Sequence, residues 1–162
     1  METTVEKKFN APVDKVFGLL TDPKWLETRC LALGELSASV KTKKAASSVT
    51  VTMKRRVHRE LNAIIAKVLN PDSDIELEEK WALDNERRSG TFTLQLVGKP
   101  ITVTAEFEVA PEGKGCVYRI QHHAKVKVPF IGAVVEKFVI SETEQGCADE
   151  LDYLADYLKK NK

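Results

Sequence analysis

The sequence predicts an α+β fold: a curved antiparallel sheet of seven strands, two short helices after the first strand, and one long C-terminal helix over the concave face. Three observations carry this expectation. Runs between Glu35 and Val128 alternate apolar and polar residues with period two. Two helix-start signals follow one another between Asn10 and Pro23. Over roughly the last thirty residues, apolar side chains recur every three or four positions. A sheet with one apolar face needs a cover, which one long amphipathic helix and two short ones can supply.

Residues 1–9 read as the first strand. Asn10-Ala11-Pro12-Val13-Asp14 ends it and opens a helix, because proline suits the first turn and an early aspartate complements the helix dipole. Val13, Val16, Phe17, Leu19 and Leu20 give this helix its apolar side. Thr21-Asp22-Pro23 starts the second, which carries Trp25, Leu26, Cys30, Leu31 and Leu33 up to Gly34.

From Glu35 the period changes to two, and Leu36, Ala38 and Val40 form a hairpin with Val49, Val51 and Met53. Four further alternating runs follow: Ile75 to Leu83, Phe92 to Leu96, Ile101 to Val109, and Tyr118 to Val128. Short turns at Asp84-Asn85, Gly98-Lys99-Pro100 and Pro111-Glu112-Gly113-Lys114-Gly115 imply antiparallel pairing of consecutive strands as a meander.

Residues 59–70 interrupt this series. Leu61, Ile64, Ile65, Val68 and Leu69 have helical spacing and stop at Asn70-Pro71, predicting an extra short helix near 59–69. After Pro129-Phe130-Ile131-Gly132, read as an entrance or as core staples, the helical period returns through Val135, Val139, Thr143, Cys147, Leu151, Leu154 and Leu158. Gly146 lies mid-helix, where glycine costs about 1 kcal/mol relative to alanine, so close packing or space for a ligand is expected there.

The 162 residues show no repeat or linker, so a single domain spanning 1–162 is expected. Basic and acidic side chains number 25 and 24 and are mixed along the chain, leaving a formal charge of +1 and no field to attract nucleic acid. The first residues lack an apolar signal core, and no stretch is long enough to span a bilayer. Cys30, Cys116 and Cys147 are odd in number and far apart, which fits reduced thiols and a cytoplasmic protein. The cysteines lack zinc-site spacing, and His122 and His123 point to opposite faces of one strand. No metal or cofactor is therefore expected. Nothing in the pattern fixes an oligomeric state.

The order of elements is similar to that of the START-like superfamily, the helix-grip or SRPBCC fold shared with birch pollen allergen and polyketide aromatase/cyclases. Phe9-Asn10-Ala11-Pro12-Val13-Asp14-Lys15-Val16-Phe17, Leu20-Thr21-Asp22-Pro23 and Val126-Lys127-Val128-Pro129 are the most specific parts of the resemblance, which covers nearly the whole chain. Together with Arg29-Cys30, Gly90-Thr91-Phe92 and Lys125-Val126-Lys127-Val128-Pro129, they resemble an uncharacterised bacterial family, domain of unknown function 2505. The resemblance implies a fold, and an apolar ligand between sheet and helix in the wider superfamily; it implies no activity.

Three polar residues fall on the inward phase of their strands: Arg55 after Met53, Glu79 between Leu77 and Trp81, and His122 between Ile120 and Ala124. A buried charge needs a partner, so Arg55 and Glu79, on neighbouring strands, are expected to pair. With Tyr118, Thr143 and Glu142 across the cavity, the trio either orients a ligand's polar head or serves as acid and base. The plainer alternative is a structural salt bridge near the rim.

The remaining cavity wall is expected from Trp81, Phe92, Leu94, Val103, Ala105, Phe107 and Ile120 of the sheet, with Val139 and Cys147 of the long helix. Leu61, Ile64, Ile65, Val68 and Leu69 form a lid over the mouth, a foot making transient membrane contact, or a helix packed permanently on the sheet edge.

Three functional classes follow. The first is binding or transfer of a small hydrophobic ligand, lipid-like or aromatic, without catalysis. The second is a cyclase or aromatase using His122, Glu79, Arg55 and Tyr118. The third is an interaction module docking through residues 59–70.

Overall fold

The computed structural model describes residues 1–84 and 86–161. Seven strands form one curved sheet: β1 (Glu2–Phe9), β2 (Ser37–Lys44), β3 (Ser48–His58), β4 (Asp72–Asp84), β5 (Arg87–Leu96), β6 (Ile101–Glu112) and β7 (Gly115–Val126). Their order is β1-β7-β6-β5-β4-β3-β2 and every pairing is antiparallel. Thus β2 to β7 make the expected meander, while β1 returns to the far edge beside β7. Asn85, expected in the β4–β5 turn, lies outside the described residues.

The alternation sets which side of the sheet is covered. Ile101, Val103, Ala105, Phe107 and Val109 of β6 are buried, whereas Glu106 between them is exposed. Gly113 turns the β6–β7 hairpin at φ +57°, a conformation that glycine adopts without a steric penalty. At Gly90 in β5, an added Cβ would collide with the Lys80 carbonyl and lie 2.6 Å from Phe107 Cζ, so the absent side chain makes room for the Phe107 ring.

Helices α1 (Val13–Leu20) and α2 (Pro23–Ala32) follow β1. The Asp22 carboxylate accepts hydrogen bonds from the backbone N–H groups of Lys24 (3.0 Å) and Trp25 (3.2 Å), the capping arrangement that Thr21-Asp22-Pro23 implied. The long helix α3 (Gly132–Lys160) buries Val135, Val139, Ile140, Leu151, Leu154 and Leu158 against the rest of the core. Lys159 and Lys160 lie in its last turn, where cations complement the dipole.

Residues 59–70 depart from the expected helix in extent. The helical part is one 3₁₀ turn at Ile65–Lys67, entered where Asn62 Oδ1 accepts from the N–H groups of Ile64 and Ile65, both at 3.0 Å. The segment's backbone bonds mix spans, Ala66 and Leu69 donating to the carbonyls four residues back and Lys67 and Val68 to those three back, so no continuous α-helical ladder forms before Asn70-Pro71. Its apolar residues consequently divide. Ile65 and Leu69 are buried, Leu61 and Val68 pack on the core from partly buried positions, and Ile64 is exposed.

The connection before α3 also divides. Ile131 packs against the core, whereas Phe130 takes φ +67° and stands fully in solvent, so it is no core staple.

Candidate functional site

Sheet, α2 and α3 together surround a cavity of about 160 Å³. A single water needs about 10–15 Å³ measured this way, so the space suits several waters or an organic molecule. Leu77, Phe92, Leu94, Val103 and Ile120 line it from the sheet, and Val139, Thr143, Gly146 and Cys147 from α3. An added Cβ at Gly146 would meet nothing within 4 Å, so this glycine leaves space and permits no close packing.

The polar side chains gather within this apolar wall. Arg55, Glu79 and His122 all line the cavity, as do Tyr118, Glu142 and Thr143. The expected Arg55–Glu79 pair does not form. In the β3–β4 register, Arg55 faces Ile75 and Glu79 faces Val51, so the two side chains leave the sheet four residues apart. Arg55 instead donates to Glu35 through Nε (2.8 Å) and Nη2, and Nη2 also donates to Glu150 Oε2 (3.0 Å). Arg29 Nη2 approaches the same Glu150 oxygen at 3.4 Å. The buried ion network is therefore Arg29, Arg55, Glu35 and Glu150, drawn from α2, β3, the loop after α2, and α3.

Two of the expected wall residues do not reach the cavity. Ala105 lies between Phe92 on β5 and His122 on β7 in the register, and those two rings meet over it edge to face at 5.6 Å. Phe107 lies behind Trp81 (ring centroids 4.6 Å apart) and Tyr118 (6.2 Å), which take the cavity side. Of the expected lid, Leu61 and Leu69 line the cavity, whereas Ile64, Ile65 and Val68 do not. The segment is tied to α3 by an ion pair between Arg59 and Glu142 at 3.1 Å. With Ile64 alone exposed among its five apolar residues, it presents no docking stripe.

Burial and charge set the protonation of the site. Burial pushes the Glu79 carboxyl up to about 7, against the opposing pull of Arg29 and of a 3.4 Å hydrogen bond from Trp81 Nε1. Burial also holds His122 near 4, hence neutral, and its Nδ1 has no hydrogen-bond partner among the described residues. Glu150 behaves oppositely: burial would raise it, but Arg29 and Arg55 outweigh that and keep it below the usual carboxylate range. Burial raises Tyr118 well above its ordinary value and Cys147 to about 12, so both stay protonated. Thr143 directs its hydroxyl to the Val139 carbonyl at 2.7 Å. Buried Cys30, near 11, is likewise a thiol.

His122 and His123 separate as their strand positions require. His122 is buried, whereas His123 meets Glu106 at 3.1 Å on the outer face. Among the described residues, no three His, Cys, Asp or Glu side chains are grouped to hold a metal ion, and no helix is long and apolar enough to cross a membrane.

A family model described as "Protein of unknown function (DUF2505)" matches residues 4–158. The chain belongs to the DUF2505 family. Solved structures share the DUF2505 chain's fold at low identity. A Thermus thermophilus protein aligns with TM-score 0.71 at 18% identity over 100% of this chain and 99% of its own. A START superfamily protein from Mycobacterium smegmatis aligns with TM-score 0.62 at 13% identity, covering 97% and 98%. A STAR-related lipid transfer protein fragment from Xanthomonas axonopodis gives 0.60 at 14% identity, covering 98% and 85%. These likenesses confirm the START-like fold. No curated protein matches the sequence.

Proposed function

We propose that this DUF2505 protein is a single cytoplasmic START-like domain, residues 1–162, that binds or carries a small hydrophobic ligand between sheet and α3. The observation that carries the reading is the 160 Å³ cavity, walled by apolar side chains and interrupted at a few positions by polar ones. Three unpaired cysteines fit a reducing compartment. The solved relative named as a STAR-related lipid transfer protein supports the ligand class by analogy of fold. Leu61, Leu69 and the Arg59–Glu142 ion pair stand at the cavity boundary, which makes residues 59–70 the gate in this reading.

One observation favours catalysis instead. Glu79, held near 7, and neutral His122 share the cavity wall, and an acid poised near neutral pH suits proton transfer. Arg55 is engaged by Glu35 and Glu150, leaving the cyclase-like set incomplete, so binding without catalysis is the stronger reading.

Organic-solvent extraction of the purified protein, followed by mass spectrometry, is expected to yield an apolar compound approaching one per chain. An empty extract, together with no binding of the neutral fluorescent probe N-phenyl-1-naphthylamine, would overturn the reading.

A further inference from the structure

The cavity and the ion network beside it contain four carboxyl groups for three guanidinium groups. Arg55 is bonded to Glu35 and Glu150, Arg29 lies against Glu150, and Arg59 pairs with Glu142 at the boundary, so these six charges balance. Glu79 is the fourth acid. Its hydrogen bond among the described residues comes from the uncharged Trp81 Nε1, at 3.4 Å. The other groups facing this region are Tyr118 and His122 from β7 and Cys147 from α3, and burial keeps all three uncharged at neutral pH. When Glu79 ionises, the cavity is one positive charge short.

The surroundings of Glu79 suit an organic cation. Trp81 is two residues along the same strand and on the same face, Phe92 lies directly opposite on β5, and Tyr118 shares the cavity wall. Aromatic faces attract cations, most strongly where water is excluded. An anionic head would add a negative charge beside Glu79, and a neutral head would leave the ionised form of Glu79 unmatched, whereas a cation would match it.

We propose that the ligand carries one cationic nitrogen on an apolar body, with the nitrogen seated against the Glu79 carboxyl among the rings of Trp81, Phe92 and Tyr118. This rests on the reading that the cavity holds a hydrophobic ligand. Binding favours ionised Glu79, so affinity for such a cation falls as pH drops below about 7.

Octylamine, octanol and octanoate, titrated calorimetrically into wild type and Glu79→Gln at pH 6 and pH 8, separate the outcomes. At pH 8 wild type is expected to bind octylamine roughly tenfold or more tighter than the other two. The preference should shrink at pH 6, where the amine stays charged but Glu79 takes up a proton, and vanish in Glu79→Gln with octanol affinity retained. Should Glu79→Gln not fold, the wild-type pH dependence decides by itself. Octanol or octanoate binding as tightly as octylamine at both pH values would overturn the cation assignment while leaving a hydrophobic ligand in place. Failure of all three to bind would overturn both.

Discussion

Replacing Glu150 by alanine is expected to destabilise the protein by about 3–5 kcal/mol, the usual effect of removing one partner from a buried ion pair. The side chains of Arg29 and Arg55 retain only 6% and 12% of their exposure, so neither guanidinium reaches bulk solvent when the carboxylate is lost. Arg55 would keep Glu35, but Arg29 would lose the ion pair it makes with α3. Glu150 also fastens α3 to α2 and β3, so its loss acts on the element that closes the cavity. Urea unfolding at pH 7 measures the effect. A loss below about 1 kcal/mol, the range of a surface ion pair, would show that the network is solvated and adaptable.

Glu79→Gln is expected to gain stability relative to wild type as pH rises from about 4.5 to 7, by on the order of 2–3 kcal/mol. Because the folded protein holds Glu79 near 7 against an ordinary value of 4.5, the acid's contribution is fully present below pH 4.5 and is lost as pH rises to about 7. His122 works in the opposite direction. Held near 4 in place of 6.5, it contributes fully above pH 6.5, and that contribution is lost as pH falls towards 4.

The two contributions oppose one another between 4.5 and 6.5 and partly cancel in wild type. Glutamine at position 79 removes one of them, so stability of the variant should rise through this interval and then level. Urea midpoints for both proteins between pH 4.5 and 8 test this. Parallel curves would mean that Glu79 titrates as an ordinary carboxyl.

The strands and α3 were legible because each buries one face, which writes period two or period 3.6 into the sequence. Asp22 was legible as a cap because side-chain capping is local. The stripe of Leu61, Ile64, Ile65, Val68 and Leu69 suggested a helix, but helical spacing over so few residues does not decide between an α-helix and one 3₁₀ turn whose side chains separate to different surroundings.

At the site, inward phase placed Arg55, Glu79 and His122 at the cavity, yet it carried no information about partners. The Arg55–Glu79 pairing failed on register, which depends on the whole hairpin. Ala105 and Phe107 share the inward phase but sit behind larger neighbours, and facing alone cannot show which side chain is in front.

Arg29 and Glu150 were missed although a signal existed. Arg29 follows Trp25 and Leu26 by four and three residues, and Glu150 falls between Cys147 and Leu154 at helical spacing. A charge within an apolar stripe on a helix marks an inward ion as clearly as one on a strand. Glu35, in a loop, had no such periodicity to reveal it.

The space beside Gly146 gives the most direct test of a ligand-holding cavity, since a leucine there would occupy the void without striking any neighbour at its Cβ. Native mass spectrometry should show bound apolar mass on wild type and little or none on Gly146→Leu, while the variant melts at a higher temperature from an improvement in helix propensity of about 1 kcal/mol. Equal occupancy of the two proteins would contradict the account.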